Sequence, residues 1–395
     1  MSCPVISCAT MMKISDVSWT YIFWIAAALV AYSYLGYPAW LWLRSRWSPR
    51  PVRRSSAELA VSAVMVVRNE EAVIARKLEN LLTLDYPEEN LNIVVVSDGS
   101  ADRTNEILTN FSGDARLRNR VRIVLKPEAQ GKAAGLNDAI KLATGEVLLF
   151  TDARQPIDSG ALRLLIENFA DPEVGVASGE LMLGDPNSGE VGEGMGLYWQ
   201  IEKAIRELES ASGSVVGATG AIYCARRNLI QPLPEGTILD DVLLPMQIVR
   251  QGYRVIFDSR AHAWDLPYLG KGREFPRKVR TLSGNYQLLQ LAPWLLSSQN
   301  GIRFEFISHK LSRLASPFAL LALLVASMVL SRPFYRLALL AQLVFYALSL
   351  AALAGVKIGP LSRIADPART FVILNCAATV AFLNFVTGRK AVWVR

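Results

Sequence analysis

The chain has 395 residues, 51% of them hydrophobic, with a net charge of +7 and a mean hydropathy of +0.25. That is too apolar for an ordinary water-soluble protein, and the length allows one large soluble domain plus membrane segments. The excess of Lys and Arg sits beside apolar segments, so the basic balance reads as membrane orientation and weighs against nucleic-acid binding.

Trp19–Leu43 is an uncharged apolar stretch of about 25 residues, long enough to cross a bilayer, with Trp19, Tyr21, Tyr37, Trp40 and Trp42 near its ends. A cleaved signal peptide would have a shorter apolar core and a small-residue cleavage site. Arg44, Arg46, Arg50, Arg53 and Arg54 follow directly, which places the next segment on the cytoplasmic side.

From Glu58 to Pro267, short apolar strands alternate with helical stretches. Leu59–Val67, Ile93–Ser97, Val121–Leu125 and Glu146–Phe150 read as strands. Between them, Ile74, Leu78, Leu81 and Leu82 are spaced for a helix, as are Thr104–Phe111 and Lys132–Leu142. The pattern predicts an α/β domain with a mostly parallel sheet and helices on both faces. Ligands of such sheets bind beyond the carboxyl ends of the strands, and Arg68, Asp98 and Asp152 all fall there. Neither a phosphate loop nor a dinucleotide fingerprint follows a strand.

Leu197–Leu208 predicts an amphipathic helix with Tyr198 and Trp199 on it. Gly217–Ala221 is a run of small residues, and Asp240-Asp241 precedes Val242–Val249 as a helix start would. Tyr286–Leu296 suggests an interface helix, and the basic residues Lys271, Arg273 and Lys278 before it suit anionic headgroups. Leu314–Leu330, Leu337–Val356 and Thr370–Val386 are further apolar runs. Arg389, Lys390 and Arg395 conflict with an outside C-terminus, so the last run stands between a span and an interface helix. No buried charge pair is expected within the spans, which weighs against a transporter. Four scattered cysteines and two histidines speak against a zinc site or a disulfide framework.

Taken in order, Asn69-Glu70, Asp98-Gly99-Ser100 with Asp102, Lys132 with Leu136-Asn137, Thr151-Asp152, and Asp240-Asp241 with Gly252-Tyr253-Arg254 resemble family 2 glycosyltransferases. The similarity is to the membrane-bound group of cellulose, chitin and hyaluronan synthases, and it implies a GT-A-like fold with transmembrane and interface helices. It further implies that Arg68, Glu70, Asp98, Lys132, Asp152 and Arg280 bind a nucleotide sugar, most simply a UDP-sugar. Asp152 would hold Mg²⁺ or Mn²⁺, although Arg154 stands where the metal motif has a second carboxylate. Thr219, Gly220 and Asp240 would cradle the acceptor, with glycine allowing a sugar ring close to the backbone.

Asp241 would be the catalytic base, because an acceptor hydroxyl becomes a competent nucleophile as a positioned carboxylate takes its proton. A glycosidase needs two carboxyl groups flanking the scissile bond, which suits adjacent aspartates poorly. In the later Q-x-x-R-W motif only Arg280 is retained, so an acceptor-stacking tryptophan is missing there.

The expected organisation is an N-terminal helix and linker (1–57), a cytosolic catalytic domain (58–270), interface helices (271–312) and a C-terminal membrane region (313–395). The expected product is a polysaccharide made at the inner membrane, with membrane lipids and export partners around it. The alternatives are single transfer to a lipid-linked acceptor, or a non-catalytic nucleotide-sugar-binding subunit.

Overall fold

The computed structural model describes residues 8–113, 120–184, 197–265, 274–356, 359 and 362–389. Pro267, Lys271, Arg273, Lys390 and Arg395 lie outside the described residues.

Helix α1 (Cys8–Ala31) continues through a single π turn, Tyr32–Gly36, into α2 (Tyr37–Trp47). The α/β domain follows as β1 (Val61–Val67), α3 (Ile74–Leu82), β2 (Leu91–Asp98), α4 (Thr104–Gly113), β3 (Val121–Lys126) and α5 (Lys132–Leu142). It continues with β4 (Val147–Phe150), α6 (Ala161–Glu167), β5 (Val174–Leu183), α7 (Leu197–Ser212), β6 (Tyr223–Arg226), α8 (Asp240–Arg250) and β7 (Arg254–Asp265). The strands form one seven-stranded sheet in the order β3-β2-β1-β4-β6-β5-β7. All neighbours are parallel except where β6 runs against β4 and β5.

Side chains alternate across this sheet, so each strand feeds two cores. Ala63, Met65, Ile93 and Val95 pack on one face against Ile74 and Leu78 of α3 and Leu162 and Leu165 of α6. Val64, Val94 and Val96 pack on the other against Ala133 and Leu136 of α5 and Leu243 and Leu244 of α8. Burial on both faces explains why these strands read as continuous apolar runs. The register sets Val67 beside Ser97 and Asp98 beside Lys126. The carboxyl ends of β1, β2 and β4 therefore open on one edge.

Beyond the sheet lie α9 (Glu274–Leu291), α10 (Arg303–Phe306), a π turn at Ile307–Leu311, α11 (Ser312–Val329), α12 (Pro333–Leu353) and α13 (Ser362–Val386). Among the described residues, four helices are long and apolar enough to cross a membrane: Asp16–Trp47, Arg303–Val329, Pro333–Leu353 and Ile364–Val386. Phe23 of α1 packs edge-on to Phe334 and Tyr335 of α12, and Tyr286 of α9 stacks on Phe385 of α13. Leu321, Leu337, Leu350 and Leu383 stay exposed along these helices.

The charge pairs lie just outside the expected spans, because the apolar helix Arg303–Val329 starts before Leu314. An apolar run begins where charges stop, but this helix extends back beyond Leu314 into the polar domain. There, buried His309 lies 2.8 Å from Glu209 and 3.0 Å from Glu202, both on α7. Arg313 bonds Glu202 at 2.6 Å, and the Tyr37 hydroxyl of α2 donates to Glu209 at 2.6 Å. Arg44 of α2 pairs with Glu305 of α10. Each of the charges named here has a partner, as burial demands, and α7 is thereby clamped between the first and second apolar helices.

At the turn before β4, the N–H groups of Thr144 and Gly145 donate to Ser62 Oγ at 3.1 and 2.8 Å. A Cβ on Gly145 would lie 2.5 Å from the Ser62 backbone nitrogen, and the turn has no flexible side chain there to give way. Gly145→Ala should therefore cost about 1–3 kcal/mol by overpacking, read as a lower melting temperature in detergent. An unchanged melting temperature would contradict this packing.

Candidate active site

Just past β1, Asn69 sits in the left-handed region at φ 54°. Its side chain accepts the Ala101 N–H at 2.8 Å, tying this turn to the loop after β2. Asp98 closes β2, and its two carboxylate oxygens accept the N–H groups of Gln130 and Gly131, each at 2.8 Å. Lys132, the first residue of α5, comes next. The structure thus uses Asp98 to fix the loop that delivers Lys132. Gly99 permits the turn: its φ is +62°, and a Cβ there would lie 2.4 Å from the Ala129 nitrogen.

Lys132 is the hub of the site. Its Nζ lies 3.0 Å from Asp152 Oδ1, beyond β4, and 3.1 Å from Asp240 Oδ2, at the start of α8. Burial by itself would lower the Lys132 pKa, but Asp152, Asp240 and Asp241 outweigh it and hold the ammonium charged. Asp240 and Asp241 occupy the first turn of α8, where the helix dipole favours carboxylates. Neither is the cap, which is Leu239. Burial, then the neighbouring Asp240, pushes the Asp241 carboxyl above the ordinary aspartate range, with Lys132 opposing. A carboxylate so raised is a stronger base than a solvated one.

The small-residue loop before β6 meets this acid directly. A Cβ on Gly220 would lie 3.1 Å from Asp241 Oδ2, so the glycine makes room for the carboxylate itself. Thr219 donates its N–H to Ser178 Oγ at 2.8 Å and accepts from Arg206 at 2.6 Å.

A cavity of about 420 Å³ gathers Lys132, Asp152, Thr219, Gly220, Asp240, Asp241 and Arg280. Arg68, Glu70 and Asp98 do not line it. Arg68 directly follows β1 and is half-buried. The Glu70 carboxylate takes the Arg154 guanidinium on both oxygens at 2.9 and 3.0 Å. The arginine standing in the metal motif thus neutralises Glu70.

Sequence reading missed Lys77, Glu180, Lys203 and Arg206 as residues of this site. Lys77 of α3 is 2% exposed and donates to Thr151 Oγ1 at 2.8 Å and to the Gln155 carbonyl at 2.5 Å. Burial lowers its pKa to about 7, with Asp152 opposing; it props the chain that presents Asp152. Trp199, Glu202, Lys203 and Arg206 of α7, Glu180 of β5 and Arg277 and Thr281 of α9 line the far end of the cavity. Buried Glu180 pairs with Lys203 at 2.9 Å. The amphipathic pattern of α7 was the available signal, since its polar stripe turns inward.

Residues 62–231 match the family model described as glycosyl transferase family 2. The poly-β-1,6-N-acetyl-D-glucosamine synthase of Staphylococcus epidermidis is 25% identical over 239 residues, 59% of this chain and 56% of that protein. The Staphylococcus aureus (strain COL) enzyme of the same name is 26% identical over 238 residues, 58% of this chain and 55% of its own. The chain spans about half the length of the curated relatives it matches. In structure it is similar to a mannosyltransferase from Pyrobaculum calidifontis solved with GDP-mannose and Mn²⁺. The TM-score is 0.70 at 23% identity, over 93% of this chain and 100% of that one, a likeness of fold. The part of the α/β domain that carries Lys132 and Asp152 therefore matches glycosyl transferase family 2.

Proposed function

We propose that the chain is an inverting transferase that moves a hexosyl or N-acetylhexosaminyl group from a UDP-sugar to a growing polysaccharide. It would work at the inner membrane as a multi-pass protein with its catalytic domain in the cytoplasm. The observation that carries this reading is the position of Asp241. Its carboxylate faces Gly220 in the same cavity as Lys132, Asp152 and Arg280.

An acceptor hydroxyl entering past α7 and α9 gives its proton to Asp241 as its oxygen bonds the anomeric carbon. The bond from that carbon to the diphosphate breaks, and the electron pair leaves on the nucleotide. Attack opposite the leaving group inverts the centre. Lys132 and Arg280 offer positive charge to the diphosphate.

Among the described residues, no three carboxylate, histidine or cysteine groups gather to hold a metal ion. Asp152 is partly exposed, with Oδ1 on Lys132. That donor set fits a divalent ion whose other ligands are diphosphate oxygens and water. Mg²⁺ or Mn²⁺ held by Asp152 would neutralise charge on the departing nucleotide.

Polymer synthesis is supported by what the curated relatives make. Orientation is supported by the arginines in the last turn of α2 and just after it. One observation favours single transfer to a lipid-linked acceptor instead: Thr281 lines the cavity beside Arg280, where the resembled motif has tryptophan. Product length from the detergent-solubilised protein separates the two.

Asp241→Asn should leave UDP binding by isothermal titration intact while transfer falls about 10²-fold or more. Wild-type turnover in the variant would refute the assignment. The wild-type rate should fall as pH drops through a range above the ordinary aspartate value of about 3.9, because a raised pKa protonates the base early. An acid limb at or below about 4 would contradict that. EDTA should abolish UDP release from the donor, and added Mg²⁺ or Mn²⁺ should restore it; an unaffected rate in EDTA would remove the metal from this account.

A further inference from the structure

Helix α8 contains a proline as its sixth residue, directly after Leu244, and its place relative to the base matters. Pro245 lies four residues after Asp241 within Asp240–Arg250. In an unbroken helix the N–H of residue 245 would bond the carbonyl of residue 241. Proline has no N–H, and its ring crowds that same carbonyl outward. The freed Asp241 carbonyl does not stay unpaired: it accepts the N–H of Ala218 at 2.7 Å.

Ala218 belongs to the small-residue loop whose Gly220 faces the Asp241 carboxylate. The close approach needs Gly217, which has φ +85° and whose Cβ would lie 3.0 Å from Val242 Cγ2 and 3.3 Å from the Asp241 carbonyl. The other end of the loop is fixed to β5 through the Thr219 N–H on Ser178. One residue therefore meets one loop twice: its carbonyl bonds Ala218 and its side chain lies against Gly220.

We infer that Pro245 is a positioning residue: by leaving the Asp241 carbonyl without a helical partner, it couples the base to the Gly217–Ala221 loop and fixes where the carboxylate points. This rests on the reading of Asp241 as the base. A missing backbone N–H inside a helix ordinarily only destabilises, so its cost here is offset by a contact that the helix could not otherwise make.

Pro245→Ala supplies the absent N–H and offers the Asp241 carbonyl its helical partner. The variant should melt at the wild-type temperature or higher and keep its KM for the donor. Its kcat should fall about 10–100-fold, as displacements near 1 Å at a reacting group do. Hydrogen exchange at the Ala218 amide should accelerate, because its acceptor has been taken. Wild-type kcat in Pro245→Ala would overturn the proposal. So would a lower melting temperature, which would make Pro245 a packing residue, or slow turnover with unchanged exchange at Ala218. Exchange at Ala218 reports the coupling whether or not Asp241 is the base, and turnover of Asp241→Asn reports the base whether or not the coupling exists.

Discussion

One largely buried ammonium organises the candidate site of this domain. Lys132 reaches Asp152 beyond β4 and Asp240 at the start of α8, joining a strand end to a helix start that the chain separates widely. Carboxylates this close would repel one another without it, and one would have to neutralise. The lysine arrives there because Asp98 fixes the preceding loop through two backbone N–H groups. Asp152 is presented by a segment that buried Lys77 supports from beneath. Each carboxylate that reads as chemistry in the sequence therefore stands on a less conspicuous lysine or glycine.

Much of this was legible beforehand, for identifiable reasons. Strands buried on both faces write themselves as apolar runs, so β1 to β4 and the aspartates ending them could be placed. The cluster of Lys132, Asp152, Asp240 and Asp241 could be picked out because the order of these residues resembles the motif order of family 2 transferases. Lys77 was not, since a lysine between Arg76 and Leu78 looks like any solvated helix residue. β6 was missed because it has only four residues and runs antiparallel after a loop of small residues. Asp98 shows the opposite limit: the carboxylate was evident, but its partners at Gln130 and Gly131 depend on a fold that brings distant backbone together.

The junction with the apolar helices follows the same logic. α7 lines the far end of the cavity with Trp199, Lys203 and Arg206, and its other side is held by His309, Arg313 and Tyr37. Glu202 takes part in both, lining the cavity and bonding His309 and Arg313. Its pKa is held well below the usual carboxylate range: burial would raise it, but the cations around it prevail. The wall along which an acceptor would enter is thus built on the helices that would meet the lipid. That arrangement suits an enzyme whose acceptor or product passes close to a membrane.

The most direct measurement is a structure of the protein with an unreacted UDP-sugar analogue and its metal. On this account the anomeric carbon lies between Asp241 and the diphosphate, with the carboxylate on the face opposite the leaving oxygen. A sugar bound with the Asp241 carboxylate on the diphosphate side, or with another group in that facing position, would contradict it.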